Sequence, residues 1–353
     1  MYPRSLTVAA TCLFLSGACA LVYQTVWLRT FRLIFGASTP STAAVLAIFM
    51  GGLGLGGLLL GRRVERSSRP LITYGHLELG VAVSAALTPA LLEAVRRVYV
   101  AMGGSEGLGF AATPVRLVLS TVVLGVPVLL MGGTFPAAAR AVTAELDIGR
   151  KGISFLYGLN TLGSVVGALL STFLLLEIYG MNRTLWIACA LNATVGMAAR
   201  AWGRQLDPVI APAPAKATER AGLAFHTRWV LAAAFTTGFV FLVAELVWYR
   251  VAAPLLGGST YTFGLVLACA LFGVGAGGVV YAVTGPKEPK AEHFAVTCAL
   301  EGLVLLLPYA MGDELGRFAF FLSDWGRASF PLLVVAWSLV TAVLVLPAAL
   351  VAG

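Results

Sequence analysis

About ten apolar stretches follow one another along this chain. They cover roughly 6–27, 41–61, 71–92, 114–132, 153–177, 183–202, 227–248, 260–283, 293–311 and 331–352. Each is close to the ~20 mostly apolar residues that a helix needs to cross a bilayer. The chain has 353 residues, of which 59% are hydrophobic and 11% charged, whereas soluble domains carry about 25% charged residues. A soluble core could not absorb this much apolar surface. The expected fold is all-α, a polytopic transmembrane helix bundle, and its 40 glycines suit close helix packing in lipid.

The first of these stretches continues from Cys19-Ala20-Leu21-Val22 straight into Tyr23 and Trp27. That continuation reads as a first membrane helix and not as a removable signal peptide. The five cysteines all lie inside apolar spans without metal-ligand spacing, as small hydrophobes do.

A second constraint is an internal repeat. Gly17, Trp27, Arg29, Gly36, Ser38, Thr39, Gly52, Gly54, Gly56 and Gly57 recur, displaced by 221 positions, as Gly238, Trp248, Arg250, Gly257, Ser259, Thr260, Gly273, Gly275, Gly277 and Gly278. Such a repeat fixes the architecture before any single element is placed. Two copies separated by an even number of spans keep the same orientation. That predicts the parallel, pseudo-symmetric arrangement of two-lobed, major-facilitator-like transporters.

The polar stretch from Gly203 to His226, with Asp207-Pro208 and Ala211-Pro212-Ala213-Pro214-Ala215-Lys216, reads as an extended linker. The expected organisation is a six-helix unit over 1–203, a cytoplasmic linker over 204–226 and a four-helix unit over 227–353. Leu346-Pro347 repeats Val126-Pro127, and the second copy then stops at Gly353. We therefore expect a truncated or partly represented protein.

The net charge is +8, and the basic residues gather in short loops beside apolar spans. Arg62, Arg63, Arg66 and Arg69 follow span two, and Arg140, Arg150 and Lys151 follow span four. Arg200, Arg204, Lys216, Arg220 and Arg228 lie between spans six and seven, and Lys287 and Lys290 follow span eight. All four loops fall on one side, which the positive-inside rule makes cytoplasmic, with the N-terminus. Arg29, Arg32, Arg96, Arg97 and Arg250 are exceptions. A bacterial-type inner membrane is the expected location, and the lipid bilayer, not nucleic acid, accounts for the positive charge.

The glycine run Gly51-Gly52-Leu53-Gly54-Leu55-Gly56-Gly57 contains GxGxxG-like spacing, but it sits inside an apolar span. A nucleotide-binding loop would need a preceding strand. The useful feature is small-xxx-small spacing: Gly52 with Gly56, Gly273 with Gly277, and Gly163 with Gly167. The loop Gly61-Arg62-Arg63-Val64-Glu65-Arg66-Ser67-Ser68-Arg69 loosely resembles the cytoplasmic loop motif of major facilitators, although a plain positive-inside loop explains it equally well.

Ionisable residues within apolar spans are the sharpest signals. A carboxylate at mid-membrane costs ~2.5–3.5 kcal/mol on insertion scales and usually faces a cavity or a partner. Glu78 in Leu77-Glu78-Leu79-Gly80 pairs in the repeat with Glu301 in Leu300-Glu301-Gly302, after a two-residue insertion, and Gln24 pairs with Glu245. Tyr23, Trp27, Trp248 and Tyr249 are neighbours in sequence. Carboxylates with aromatic faces suit an organic cation through ion pairing and cation–π attraction. Interhelical hydrogen bonds and interfacial aromatic belts are the structural alternative. Asn160-Thr161 in span five could line a cavity or bridge to a neighbouring helix. His76, His226 and His293 form no cluster, and no Ser/His/Asp, HExxH, CxxC or P-loop constellation is present. Neither a metal nor a cofactor is expected.

Several stretches together resemble one family, membrane proteins that fuse a facilitator-type helical domain to a spermidine synthase. They are Ser16-Gly17 through Tyr23-Gln24-Thr25-Val26-Trp27-Leu28-Arg29, Phe35-Gly36-Ala37-Ser38, Val45 through Gly56, Leu77-Glu78-Leu79-Gly80, Gly132-Gly133-Thr134-Phe135-Pro136 and Leu156 through Gly163. The resemblance covers most of spans one to six and the second copy less tightly. It implies a soluble Rossmann-like aminopropyltransferase domain after the helices, which transfers an aminopropyl group from decarboxylated S-adenosylmethionine to putrescine. These 353 residues contain no strand–glycine loop and no paired aspartates of that kind.

Two functional readings follow. In the first, the helices bind or translocate a polyamine or similar organic cation by alternating access between the two units. Glu78, Glu301, Glu245, Gln24 and Asn160 would supply polar contacts, and Tyr23, Trp27 and Trp248 aromatic walls. In the second, the helices are a non-transporting anchor or scaffold for an aminopropyltransferase domain or partner.

Overall fold

The computed structural model describes residues 4–36, 39–143, 150–208, 217–284 and 291–353. Ser38, Lys287, Lys290 and the Pro/Ala stretch Ala211–Lys216 lie outside the described residues. The chain divides into two compact units, Met1–Ile210 and Ala211–Gly353, here called unit 1 and unit 2.

Unit 1 contains α1 (Arg4–Phe35), α2 (Thr39–Glu65), α3 (Pro70–Ala101), the short α4 (Gly104–Leu108), α5 (Ala112–Thr143), α6 (Arg150–Leu170) and α7 (Leu176–Gly203). Unit 2 contains α8 (Ala217–Leu256), α9 (Thr260–Thr284), α10 (Ala291–Leu305), the short α11 (Leu307–Met311), α12 (Asp313–Ser323), α13 (Trp325–Ala328) and α14 (Phe330–Ala352). No strand occurs among the described residues.

Among the described residues, nine helical runs are long and apolar enough to span a bilayer, and one of them, Phe155–Gly203, has 49 residues. It is broken at Gly180, whose φ of 70° and ψ of −179° only glycine adopts readily. The Thr184 hydroxyl donates to the Leu175 carbonyl at 2.9 Å. In a straight helix residues nine apart lie ~13.5 Å apart along the axis, so the chain folds back here. That break separates the expected spans five and six, and the protein is a multi-pass helical membrane protein.

Several helices exceed the apolar stretches that predict them. α1 runs to Phe35, past Arg29 and Arg32, and α5 continues through Pro127 and Pro136 to Thr143. Helical hydrogen bonding does not stop where hydropathy falls. Span nine, by contrast, is interrupted at Leu306, one residue before α11 begins. Pro308 has no N–H to continue the ladder.

The repeat is structural as well as sequential. Gly36 ends α1 at φ 89°, and Gly257 ends α8 at φ 78°, the helix-terminating role of glycine. A Cβ on Gly56 would strike the backbone carbonyl of Leu129, and a Cβ on Gly277 would strike that of Leu350. A Cβ on Gly57 or Gly278 would lie 3.5 Å from the carbonyl of Gly132 or Gly353 respectively. Each contact pair is displaced by the same 221 positions. The α2–α5 seam of unit 1 and the α9–α14 seam of unit 2 are therefore one design used twice.

The core of unit 1 joins Leu13 of α1, Tyr74 of α3, Ala138 of α5, Leu156 of α6 and Ala199 of α7. The core of unit 2 joins Trp248 of α8, Val266 of α9, Leu322 of α12 and Val340 of α14. No described residue of α10 is fully buried.

Candidate functional site

In unit 1, Glu78 is 1% exposed within the apolar part of α3. Its neighbours Leu77, Leu79 and Gly80 offer the carboxylate no partner, so the partner comes from other helices. The Ser16 hydroxyl of α1 donates to Glu78 Oε1 at 2.6 Å. From α7, Asn192 Nδ2 donates to the Glu78 backbone carbonyl at 2.9 Å. Three helices thus meet at one buried acid. The tight approach of α7 to α3 is set by glycines, since a Cβ on Gly75 would lie 2.6 Å from the Gly196 carbonyl.

Eleven positions beyond Ser16 on α1, Trp27 Nε1 donates to Thr88 Oγ1 of α3 at 3.0 Å. Contacts from Ser16 to Glu78 and from Trp27 to Thr88 advance together, so α1 and α3 run parallel. Tyr23 and Trp27 stack, with ring centroids 5.4 Å apart and planes 15° apart, and Trp27 also meets Phe49 of α2. Tyr23 and Trp27 are both 0% exposed and Gln24 is 1% exposed. Neither polar atom of the Gln24 side chain has a hydrogen-bond partner among the described residues.

Asn160 of α6 is half-buried. Its backbone carbonyl lies where a Cβ on Gly17 of α1 would be, and Ser164 Oγ donates to the Gly17 carbonyl at 3.3 Å. Asn160 therefore belongs to the α1–α6 seam. An apolar groove of about 300 Å³ opens beside that seam, lined by Leu6, Ala10, Phe14, Phe155 and Leu159 among others. None of the eight candidate residues lines it.

In unit 2, Glu245 is 3% exposed and Trp248 is 3% exposed on α8. Glu245 Oε1 has no hydrogen-bond partner among the described residues, and Trp248 meets Phe241 edge-on with centroids 5.7 Å apart. Glu301 is half-buried on α10. The expected parity of Glu78 and Glu301 thus ends at sequence position. The first is sealed by two neighbouring helices and the second is not. The candidate residues fall into two sets, Tyr23, Gln24, Trp27, Glu78 and Asn160 in unit 1, and Glu245, Trp248 and Glu301 in unit 2.

Three contributors lie outside the set that sequence reasoning singles out: Ser16, Thr88 and Asn192. Asn192 is within its reach, because the same rule that flags Asn160, a polar residue in an apolar span, flags it too. Ser16 and Thr88 are not, since a hydroxyl in a membrane helix usually bonds its own backbone. Thr88 does so as well, donating to the Ala85 carbonyl at 2.7 Å. Two of the out-of-place basic residues, Arg96 and Arg97, both hold Glu93, each at 2.8 Å.

No family model matches this chain. It is similar to Polyamine aminopropyltransferase 2 of Streptomyces coelicolor, 27% identical over 187 residues that make up 52% of this chain. The matched stretch spans 32% of that relative's length. Among solved structures it is similar to a bacterial homolog of the human lysosomal transporter Spinster in an inward-facing, unoccupied conformation. That likeness has a TM-score of 0.54 at 15% identity and covers 100% of this chain and 75% of the other. The POT family transporter PepTSo is also found, at a TM-score of 0.43 and 17% identity, covering 95% of this chain and 66% of that one. The Spinster likeness shows a shared fold alone: this chain has the helical membrane fold of that structure.

Proposed function

We propose that this protein binds an organic cation of the polyamine class at carboxylates held inside its membrane helices, and carries it across the bilayer by alternating access. The observation that carries this reading is Glu78, an acid 1% exposed in a membrane helix and held through one short bond from Ser16. Such a residue is retained at a cost of ~2.5–3.5 kcal/mol and commonly marks a substrate or ion pathway. An incoming ammonium group replaces the Ser16 hydroxyl as the donor to Glu78. The Tyr23–Trp27 stack supplies aromatic faces, which attract cations. Gln24 in unit 1 and Glu245 in unit 2 occupy equivalent repeat positions and carry buried polar atoms without partners among the described residues, which supports each as a candidate contact within its own unit. Asn160 in unit 1, and Trp248 and Glu301 in unit 2, are the remaining candidate contacts, each within its own unit.

The similarity to a polyamine aminopropyltransferase supports the polyamine as the cation. Arg62, Arg63, Arg66 and Arg69 favour a cytoplasmic position for the loop after α2, and with it the N-terminus, in a bacterial inner membrane.

The same similarity favours a second reading, in which the helices anchor an aminopropyltransferase domain or partner without transporting anything. Calorimetry with spermidine on the protein in lipid nanodiscs separates the two. The transport reading expects binding that Glu78→Gln weakens by tenfold or more. In the anchor reading spermidine does not bind, and Glu78→Gln and Glu301→Gln alter only the unfolding midpoint.

A further inference from the structure

We propose that unit 1 binds the headgroup of an anionic phospholipid of the phosphatidylglycerol type, in a notch between the start of α3 and the end of α7. Arg69, Arg200 and Arg204 supply the donors to its phosphate. The site is the same whether the helices transport a cation or anchor a partner.

The two ends of α3 treat their arginines differently. At the far end Arg96 and Arg97 share Glu93. At the start, Arg66 and Arg69 form no ion pair among the described residues, and neither do Arg200 in the last turn of α7 and Arg204 just after it. The nearest acids in sequence, Glu65 and Asp207, are equally unpaired. A guanidinium group keeps its charge at any physiological pH, so the balancing charge comes from outside the unit.

The notch has a built frame. A Cβ on Gly203 would lie 3.1 Å from the backbone nitrogen of Ile72, so the end of α7 closes on the start of α3. The carbon stem of Arg200 stands where a Cβ on Gly75 would be, and its Nε is buried without a hydrogen-bond partner. The Arg69 backbone N–H donates to Ser67 Oγ at 3.2 Å, and that hydroxyl meets Thr73 Oγ1 at 2.7 Å. Ser67 N–H donates in turn to the carbonyl of Val64 at 2.9 Å, and Val64 belongs to the core of unit 1. The loop that carries Arg69 is therefore tied to α2 on one side and α3 on the other.

Between these supports lies the notch, lined by Arg69, Pro70, Leu71, Ala141, Leu206 and Asp207. Pro70 opens one membrane-spanning run and Gly203 closes another, which sets the notch at the bilayer surface. That position and the lining chemistry name the ligand. The apolar floor of Pro70, Leu71, Ala141 and Leu206 suits the glycerol backbone of a lipid and offers nothing to a free anion. Guanidinium forks grip phosphate through paired N–H bonds, and basic pockets between membrane helices hold lipid headgroups. Three arginines against the single acid Asp207 favour a headgroup of net negative charge over a zwitterionic one. The headgroup hydroxyls of phosphatidylglycerol donate to Asp207.

The test titrates the full chain in detergent with phosphatidylglycerol and counts bound lipid by native mass spectrometry. Phosphatidylcholine and inorganic phosphate are the competing probes. Two variants each lose two exposed arginines. One is Arg69→Gln with Arg204→Gln at the notch, and the other is Arg62→Gln with Arg63→Gln on α2, outside it. The proposal expects phosphatidylglycerol to bind, and to bind about tenfold or more weakly in the notch variant, the effect of two basic residues near a lipid surface. The α2 variant should stay within about twofold of the parent, and neither competitor should displace the lipid. Equal weakening in the two variants would reduce the effect to diffuse positive charge and overturn the proposal. Phosphatidylcholine binding as tightly as phosphatidylglycerol, displacement by inorganic phosphate, or no retained phosphatidylglycerol would each overturn it as well.

Discussion

The two units carry the same glycine seam and the same glycine stop at the end of their first helix, yet the matched acids Glu78 and Glu301 differ in burial. In unit 1, α1 is covered on several sides, and Gln24, Trp27 and Glu78 are all sealed. In unit 2, among the described residues, α8 is buried only from Ala244 onward and α10 nowhere. The local sequence at the two acids is nearly the same, Leu77-Glu78-Leu79-Gly80 against Leu300-Glu301-Gly302. What differs is the neighbour that each helix has. Burial of a polar group in this fold is therefore a property of the helix pair, decided by whether a small residue lets a second backbone close over it.

Glycine substitutions put the unequal cover of α1 and α8 at greatest risk. Gly17→Leu puts a side chain where the Asn160 carbonyl stands, and overpacking of this kind costs about 3 kcal/mol or more. Gly238→Leu at the repeat position meets open space and should stay within about 0.5 kcal/mol of the parent. Thermal unfolding in detergent reads the contrast, and equal losses at the two sites would contradict the difference drawn between the units.

The seam contacts probe what the units share. Gly56→Leu and Gly277→Leu should each destabilise by about 1–3 kcal/mol, and by similar amounts, because the carbonyls of Leu129 and Leu350 stand in equivalent places. A loss confined to one of them would mean that only one seam is formed.

Ser16→Ala removes the donor to a buried carboxylate and should cost about 1–3 kcal/mol. At the repeat position of Ser16, unit 2 carries Thr237, which is bonded to its own helix at the Ala233 carbonyl. Thr237→Ala should accordingly leave unfolding unchanged. The smallest expected loss is that of the Trp27 bond. Trp27→Phe loses the bond to Thr88 for about 0.6 kcal/mol, the usual size of interhelical hydrogen bonds in lipid. A double-mutant cycle with Thr88→Val isolates it.

Much of this fold is legible in the sequence because membrane helices announce themselves by length and hydropathy. The two spans merged in the run Phe155–Gly203 are separable near 177–183 from polarity alone, and Gly180 supplies the break. The recurrence of Gly52, Gly56 and Gly57 predicts a repeated seam, since close approach needs a missing Cβ. The site is less legible. Glu78 stands out as an acid among leucines, but Ser16 lies 62 residues away, and nothing local to either residue encodes their meeting. The half-buried state of Glu301 is equally hidden, because equal local sequence conceals unequal neighbours.

Whether the buried acid of unit 1 serves a cation, and not merely the fold, is decided by spermidine uptake into proteoliposomes. Wild type is compared with Glu78→Gln, with folding of both verified by unfolding midpoint. A cation-binding Glu78 predicts saturable uptake that Glu78→Gln reduces at least tenfold while the midpoint stays near the parent's. Absence of uptake by the wild type, or uptake that survives Glu78→Gln unchanged, would contradict it.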